Sequence, residues 1–202
     1  MGDTNQVVLR VSARKDPGYV KRVAGAISWQ LRDNGFCKVR AVKVDAINTA
    51  TKAIAIVNQR VSQAGLNFAM DMVFSPTESE SDQNSTAIEM TVQDADSTRP
   101  GEFVEYKVAG KKSADKDIIM RLAGAIAGPV RAGKGVRLRC IGPSSVYRAI
   151  MASCIAKGYI YANGLSAIVV PSWASMPSEE GKPPVSLLQV DFWGDKASSA
   201  SL

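Results

Sequence analysis

The sequence predicts an α+β protein made of two tandem copies of one two-layer domain, each with the element order β-α-β-α-β-β. The six residues Arg22–Ile27 return almost unchanged as Arg121–Ile126, 99 residues later. Matches at this same shift continue from position 16 to position 66, which chance similarity between two alanine-rich helices does not explain. Each copy also has four segments of alternating apolar and polar residues, which is typical of strands with one exposed face.

The first copy begins with a predicted strand at 7–12, where Val7, Leu9 and Val11 share a face. Asp16-Pro17 is typical of an N-cap and first helical turn, and Asn34-Gly35 of a C-cap, so a helix is expected from there to about Arg32. The remaining predicted elements are a strand at 37–41, a helix capped by Asp45 and ended by Gly65, and strands at 66–74 and 88–92.

The second copy repeats this order with slightly shifted boundaries. Its strands are expected near 103–109, 135–141, 164–171 and 186–193, and its helices near 115–131 and 144–158, the latter capped by Ser144. The chain therefore divides into a first repeat at 1–96, a linker at 97–101, a second repeat at 102–195 and a tail at 196–202. Because the linker is short, the two copies are expected to touch.

The composition excludes several classes of function. The chain has no histidine, so it cannot form Ser-His, Cys-His or His-metal sites. Its three cysteines lack metal-ligand spacing and are expected to be buried, reduced thiols. We therefore expect no catalytic residues, no metal and no cofactor. The sequence also lacks a long apolar run and a signal peptide, so an intracellular protein is expected, without a choice between cytoplasm and nucleus.

Charge is segregated within each copy. Residues 1–60 and 101–157 each carry a net charge of +7, whereas 61–100 and 158–202 carry −6 and −2. Basic residues on the exposed face of the second strand of each copy, and in the loop before each first helix, form a stripe that is typical of phosphate binding. These candidate nucleic-acid-binding residues are Arg14, Lys15, Lys38, Arg40, Lys111, Lys112, Arg137 and Arg139. The alternative is a merely solvated face.

A second set of residues indicates contact with protein. Apolar side chains on the outward positions of the second sheet, where the first copy is more polar, are Phe103, Ile168, Val170, Leu187 and Trp193. The acidic hairpin of the first copy carries Glu78, Glu80 and Asp82, which could meet a basic block on a neighbouring molecule. Both sets are candidate interface residues, and self-association is the expected result.

The first copy resembles the stage V sporulation protein S family, a branch of the Alba-like superfamily. The resemblance is carried by the segments 9–14, 23–26 and 46–56, and more weakly by 122–125 and the helix after Ser144. It implies an Alba-like fold of two helices on a four-stranded sheet, and nucleic-acid binding by subunits that pair as dimers. A tandem chain would then be a covalent pseudo-dimer.

Three functions remain as hypotheses. The leading one is a non-enzymatic nucleic-acid-binding protein that contacts phosphates of DNA or RNA with weak sequence specificity, because few aromatic residues lie among the basic ones. The alternative is a structural subunit of an oligomeric or filamentous assembly, with other protein subunits as partners. The third, an enzyme, has little support, since nothing supplies a base near neutral pH.

Overall fold

The computed structural model describes residues 7–14, 16–76, 87–95, 97–110, 116–177 and 183–196. The first half contains β1 (Val8–Val11), α1 (Tyr19–Asn34), β2 (Phe36–Val42), α2 (Lys43–Val61), β3 (Phe68–Ser75) and β4 (Ala87–Asp94). The second half contains β5 (Phe103–Val108), α3 (Lys116–Arg131), β6 (Gly135–Cys140), α4 (Pro143–Tyr161), β7 (Leu165–Met176) and β8 (Val185–Lys196). The predicted tandem α+β fold is confirmed.

Each half forms one four-stranded sheet of the same topology. The strand orders are β1-β2-β4-β3 and β5-β6-β8-β7, so the hairpin strand that comes last in the sequence lies inside each sheet. The first two strands of each sheet are parallel and the other pairs are antiparallel. This arrangement gives each sheet an edge formed by β1 or β5 and an opposite edge formed by β3 or β7.

The helices cover one face of each sheet, as the alternation of the strands requires. In β2, Cys37, Val39 and Ala41 are fully buried, whereas Lys38 and Arg40 lie on the opposite face and are only half-buried. α2 can approach the sheet closely because its buried positions include several alanines, such as Ala50 and Ala53. The face without helices is the outer face, and it carries the basic side chains.

The helix starts differ from those predicted. Helix α1 begins at Tyr19, and the Asp16 side chain accepts a 2.9 Å hydrogen bond from the Gly18 N–H in the turn before it. Helix α2 follows β2 directly and helix α4 follows β6 after two residues, both without a side-chain cap, so Asp45 and Ser144 lie inside the first turn. The chain turns there at one residue with positive φ in each half, which is Lys43 (69°) in the first and Gly142 (85°) in the second.

The second hairpin is longer than predicted. Strands β7 and β8 pair from Leu165 with Lys196 to Met176 with Val185, whereas β6 pairs with β8 only between Val136 and Cys140. The end of this hairpin therefore extends beyond the rest of the second sheet.

One hydrophobic core runs through both halves. α2 packs against α4 and against β7, while β3 lies along β7. The buried side chains of the first half, such as Ile54 and Met72, belong to the same cluster as Ile150 and Cys154 of the second. The two halves therefore bury part of their apolar surface only against each other, as expected of a pseudo-dimer.

Polar contacts across this boundary are reciprocal. The Asn58 amide donates to the Pro171 carbonyl at 2.9 Å, and 99 residues further on Lys157 donates to the Met72 carbonyl at 3.4 Å. Asn58 also donates to the Phe68 carbonyl and accepts from the Phe68 N–H, at 3.0 and 2.7 Å. The same contact made once in each direction is the property of a two-fold interface, here within a single chain.

We expect Asn58→Ala to lower the free energy of unfolding by about 2–3 kcal/mol, because it leaves the buried Pro171 carbonyl and the part-buried backbone groups of Phe68 without the Asn58 side chain as partner. Chemical denaturation followed by circular dichroism measures this. Gln59→Ala, at an exposed neighbouring position, is the control and should change stability by less than about 0.5 kcal/mol. Equal effects of the two substitutions would contradict the role assigned to Asn58.

Candidate nucleic-acid interface

The predicted basic residues fall into two groups. Arg14, Lys38, Arg40, Arg137 and Arg139 are described by the structure, the last four on the outer faces of β2 and β6. The loop residues Lys15, Lys111 and Lys112 lie outside the described residues, as do the hairpin acids Glu78, Glu80 and Asp82.

The first outer face carries two adjacent rows of side chains. β1 aligns Arg10 with Arg40 and Val8 with Lys38. On the other side of β2, β4 aligns Thr91 with Lys38 and Glu89 with Arg40. Arg10, Lys38 and Arg40 thus form a basic cluster over two parallel strands. Arg10 was not among the predicted residues, although its position between Leu9 and Val11 places it on this face.

A second basic group lies at the start of α1. The guanidinium carbons of Arg14 and Arg22 lie 5.3 and 5.9 Å from the centroid of the Tyr19 ring, a cation–π arrangement. The Arg22 guanidinium, followed by the Gly18 N–H, holds the pKa of the Asp16 carboxyl below its usual value. Arg14 therefore lies beside the end of β1 on an aromatic support.

The second outer face pairs its arginines with carboxylates. Arg137 makes two hydrogen bonds to Asp191, at 2.9 and 3.1 Å, and a longer one of 3.4 Å to Glu105. Arg139 donates to Glu105 at 2.9 Å. The hydrogen bond to Asp191 is the main reason that the pKa of Arg137 is raised, and Glu105 adds to it. Arg137 and Arg139 are the two predicted phosphate-binding cations of this half that the structure describes, and both are already bound to acids of the same chain.

The two faces differ in the residues beside one pair of equivalent cations. Lys38 and Arg137 are 99 residues apart and occupy the same place in their sheets. Beside Lys38 stand Val8 and Thr91, whereas beside Arg137 stand Glu105 and Asp191. Neither acid is among the residues predicted from the sequence. Glu105 alternates with Phe103 and so could have been placed on this face, but Asp191 is brought beside Arg137 only by the antiparallel pairing of β8 with β6.

The linker covers part of the second outer face. Arg99 pairs with the buried Asp191, and the indole N–H of Trp193 donates to the Ser97 hydroxyl at 2.9 Å. The central carbons of the Arg99 and Arg137 guanidinium groups lie 5.0 and 4.9 Å from the centroid of the Phe103 ring. This ring also lies directly over Gly135, where an added Cβ would come within 2.4 Å of the ring.

The predicted apolar interface residues lie within the chain. Val170 and Trp193 are buried, and Phe103 and Ile168 are half-buried, in a small cluster with Ala69 of β3 and Ala95 at the end of the first half. Leu187 is also buried, at the floor of a cavity of about 140 Å³ beside Lys107 and Arg139. These side chains therefore contact the linker, the first half and their own sheet.

The part of the chain that the structure describes offers little chemistry beyond charge. No group of three or more acidic or cysteine side chains there could hold a metal ion, and none of its helices has the length and apolarity needed to cross a membrane. Cys37, Cys140 and Cys154 are free and buried, as predicted. Burial raises the pKa of the Cys37 and Cys140 thiols to about 12, and that of Cys154 to about 11.

We expect the native thiols to be unreactive at pH 8, because a thiol with a pKa of about 11 or 12 is almost entirely protonated there. Titration with Ellman's reagent should detect none of the three in the folded protein and all three in guanidinium chloride. Reaction in the folded state at the rate of a free thiol would contradict the burial described here.

We expect Asp191→Ala to lower the free energy of unfolding by about 2–3 kcal/mol, because it removes a buried acid and leaves Arg137 and Arg99 without their shared partner. Thermal or chemical denaturation measures the loss. Glu102→Ala breaks the exposed pair with Lys134 and should cost less than about 1 kcal/mol. A neutral effect of Asp191→Ala would show that the acid does not hold this face together.

A comparison with known families agrees with this division of the chain. The family model described as Stage V sporulation protein S (SpoVS) matches twice, over residues 7–95 and 106–188. The two matches fall on the two halves and together cover most of the chain. The protein therefore belongs to the Stage V sporulation protein S family, as a tandem duplication of its domain.

Proposed function

We propose that the protein is a non-enzymatic nucleic-acid-binding protein that contacts phosphates through the outer face of its first half. The observation that carries this proposal is the basic cluster of Arg10, Lys38 and Arg40, which the sheet register places side by side. Three cations on two neighbouring strands make the local electrostatic potential positive, which attracts anions. A phosphate backbone supplies such anions at regular spacing.

The surroundings of this cluster favour an external anion. Lys38 has Val8 and Thr91 as its neighbours on either side, and neither carries a charge. Glu89 stands beside Arg40, whose guanidinium group also donates a hydrogen bond to the Pro76 carbonyl. Arg14 lies beyond the end of β1, close enough along the chain to extend the same basic surface.

Sequence specificity is not expected from this face. Lysine and arginine contacts to phosphate position a protein on nucleic acid but do not read its bases. Tyr19, which packs against Arg14, accepts a hydrogen bond from the Ser12 N–H and lies near two guanidinium groups. Binding should therefore be weak and similar for different sequences, and its affinity should fall steeply as the salt concentration rises.

The alternative function is a structural subunit of a larger assembly. One observation favours it, since β1 and β5 each pair with a single neighbouring strand and so present a sheet edge in the described part of the chain. Such edges can pair with another molecule. Self-association without nucleic-acid binding would support this alternative.

The test is the salt dependence of binding to a duplex oligonucleotide, measured by fluorescence anisotropy between about 50 and 200 mM salt. With about four cations at phosphates, log Kobs should fall against log salt with a slope of about −3 to −4. Replacing Lys38 and Arg40 with glutamine should flatten the slope by about 2, since each lost contact removes about 0.9.

The matched control is the equivalent pair in the second half. Arg137→Gln and Arg139→Gln together should change the slope by less than about 0.5, because these cations already hold carboxylates and release few counterions. Circular dichroism confirms that both variants are folded. Absence of binding by the native chain at low salt, or an equal effect of the two pairs, would contradict the proposed site.

A further inference from the structure

We infer that Arg137 and Arg139 form a second phosphate-binding site, which the chain itself occupies with the carboxylates of Glu105 and Asp191. This inference rests on the proposed function, because it assigns to the second half the same ligand chemistry as to the first. It adds that the second site is closed to external polyanions. The resting chain then binds nucleic acid through one face only.

The geometry of the second face is that of an occupied anion site. Asp191 accepts two nearly parallel hydrogen bonds from Arg137, which is the bidentate arrangement that guanidinium groups make equally with carboxylate and phosphate. Glu105 lies between Arg137 and Arg139 and accepts from both. Two acids of the chain thus stand where phosphate oxygens would otherwise bind.

The occupying acids differ in how firmly they are held. Asp191 is buried, with 3% of its side chain exposed, and it is also bound by Arg99 of the linker. Glu105 is on the edge strand β5, with 42% of its side chain exposed. An external phosphate would therefore have to displace Glu105 first, and Glu105 is the residue whose removal should open the site with least damage.

The first half shows what the site is like without these acids. The equivalents of Glu105 and Asp191 are Val8 and Thr91, which leave Lys38 without a neighbouring charge on either strand.

The experiment transfers the residue of the first half to the second. Glu105→Val should free Arg139 and weaken the hold on Arg137, so the salt slope for duplex binding should become steeper by about 1. The double change to Glu105→Val and Asp191→Thr should make it steeper by about 2 and raise the number of sites per chain from one to two. Titration of the fluorescent duplex at high protein concentration gives the stoichiometry.

Glu102→Val is the matched control. It removes the same charge from a position three residues away, but Glu102 pairs with Lys134 and not with the arginines of the site. It should raise affinity slightly through net charge and leave the stoichiometry at one. Thermal melting shows whether the double variant is folded. If it is not, the salt slope and stoichiometry of Glu105→Val alone test the second site.

The outcomes separate this inference from the proposed function. If the native chain binds through Lys38 and Arg40 but Glu105→Val behaves like Glu102→Val, the second site does not exist and the inference is wrong. If the native chain does not bind but Glu105→Val does, the first face is not a site, while the closed second site is supported. A steeper slope and a second bound duplex on top of native binding would support both.

Discussion

The contact between the two halves is the constraint on which the rest of the structure depends. A four-stranded sheet with two helices on one face leaves α2 and the edge strand β3 partly uncovered, and the second half leaves α4 and β7 in the same state. Each half covers what the other leaves exposed, so their cores merge into one. This contact commits the helix side of both sheets to the interior, whereas the basic side chains of β2 and β6 lie on the outer faces.

The fold could be predicted from the sequence because its signals are local and repeated. The alternation of Cys37, Val39 and Ala41 with Lys38 and Arg40 indicates which face of the first sheet is buried. The same alternation recurs 99 residues later, so it indicates the buried face of the second sheet as well. The helix starts could not be predicted from capping residues, since at Lys43 and Gly142 the backbone turns into the helix through a positive φ angle. No side-chain pattern marks such a turn when lysine occupies it.

The sequence predicts which face of its strand each candidate residue occupies, but not which residues of the neighbouring strands lie beside it. Lys38 and Arg137 were placed on outer faces by alternation, but the charge beside each depends on strand pairing. Asp191 lies 54 residues after Arg137 and reaches it through the antiparallel register of β6 and β8. Counting charges by segment therefore assigned Asp191 to an acidic hairpin and Arg137 to a basic block, although the two form one neutral pair.

The covalent linkage of the halves has a consequence for symmetry. In a dimer of identical subunits every substitution appears twice, so both outer faces must change together. In this chain a substitution at Val8 leaves Glu105 unaffected, so each outer face can change independently, and Arg137 has acids beside it where Lys38 has none. A ligand that contacts both faces would therefore meet two different surfaces on one polypeptide.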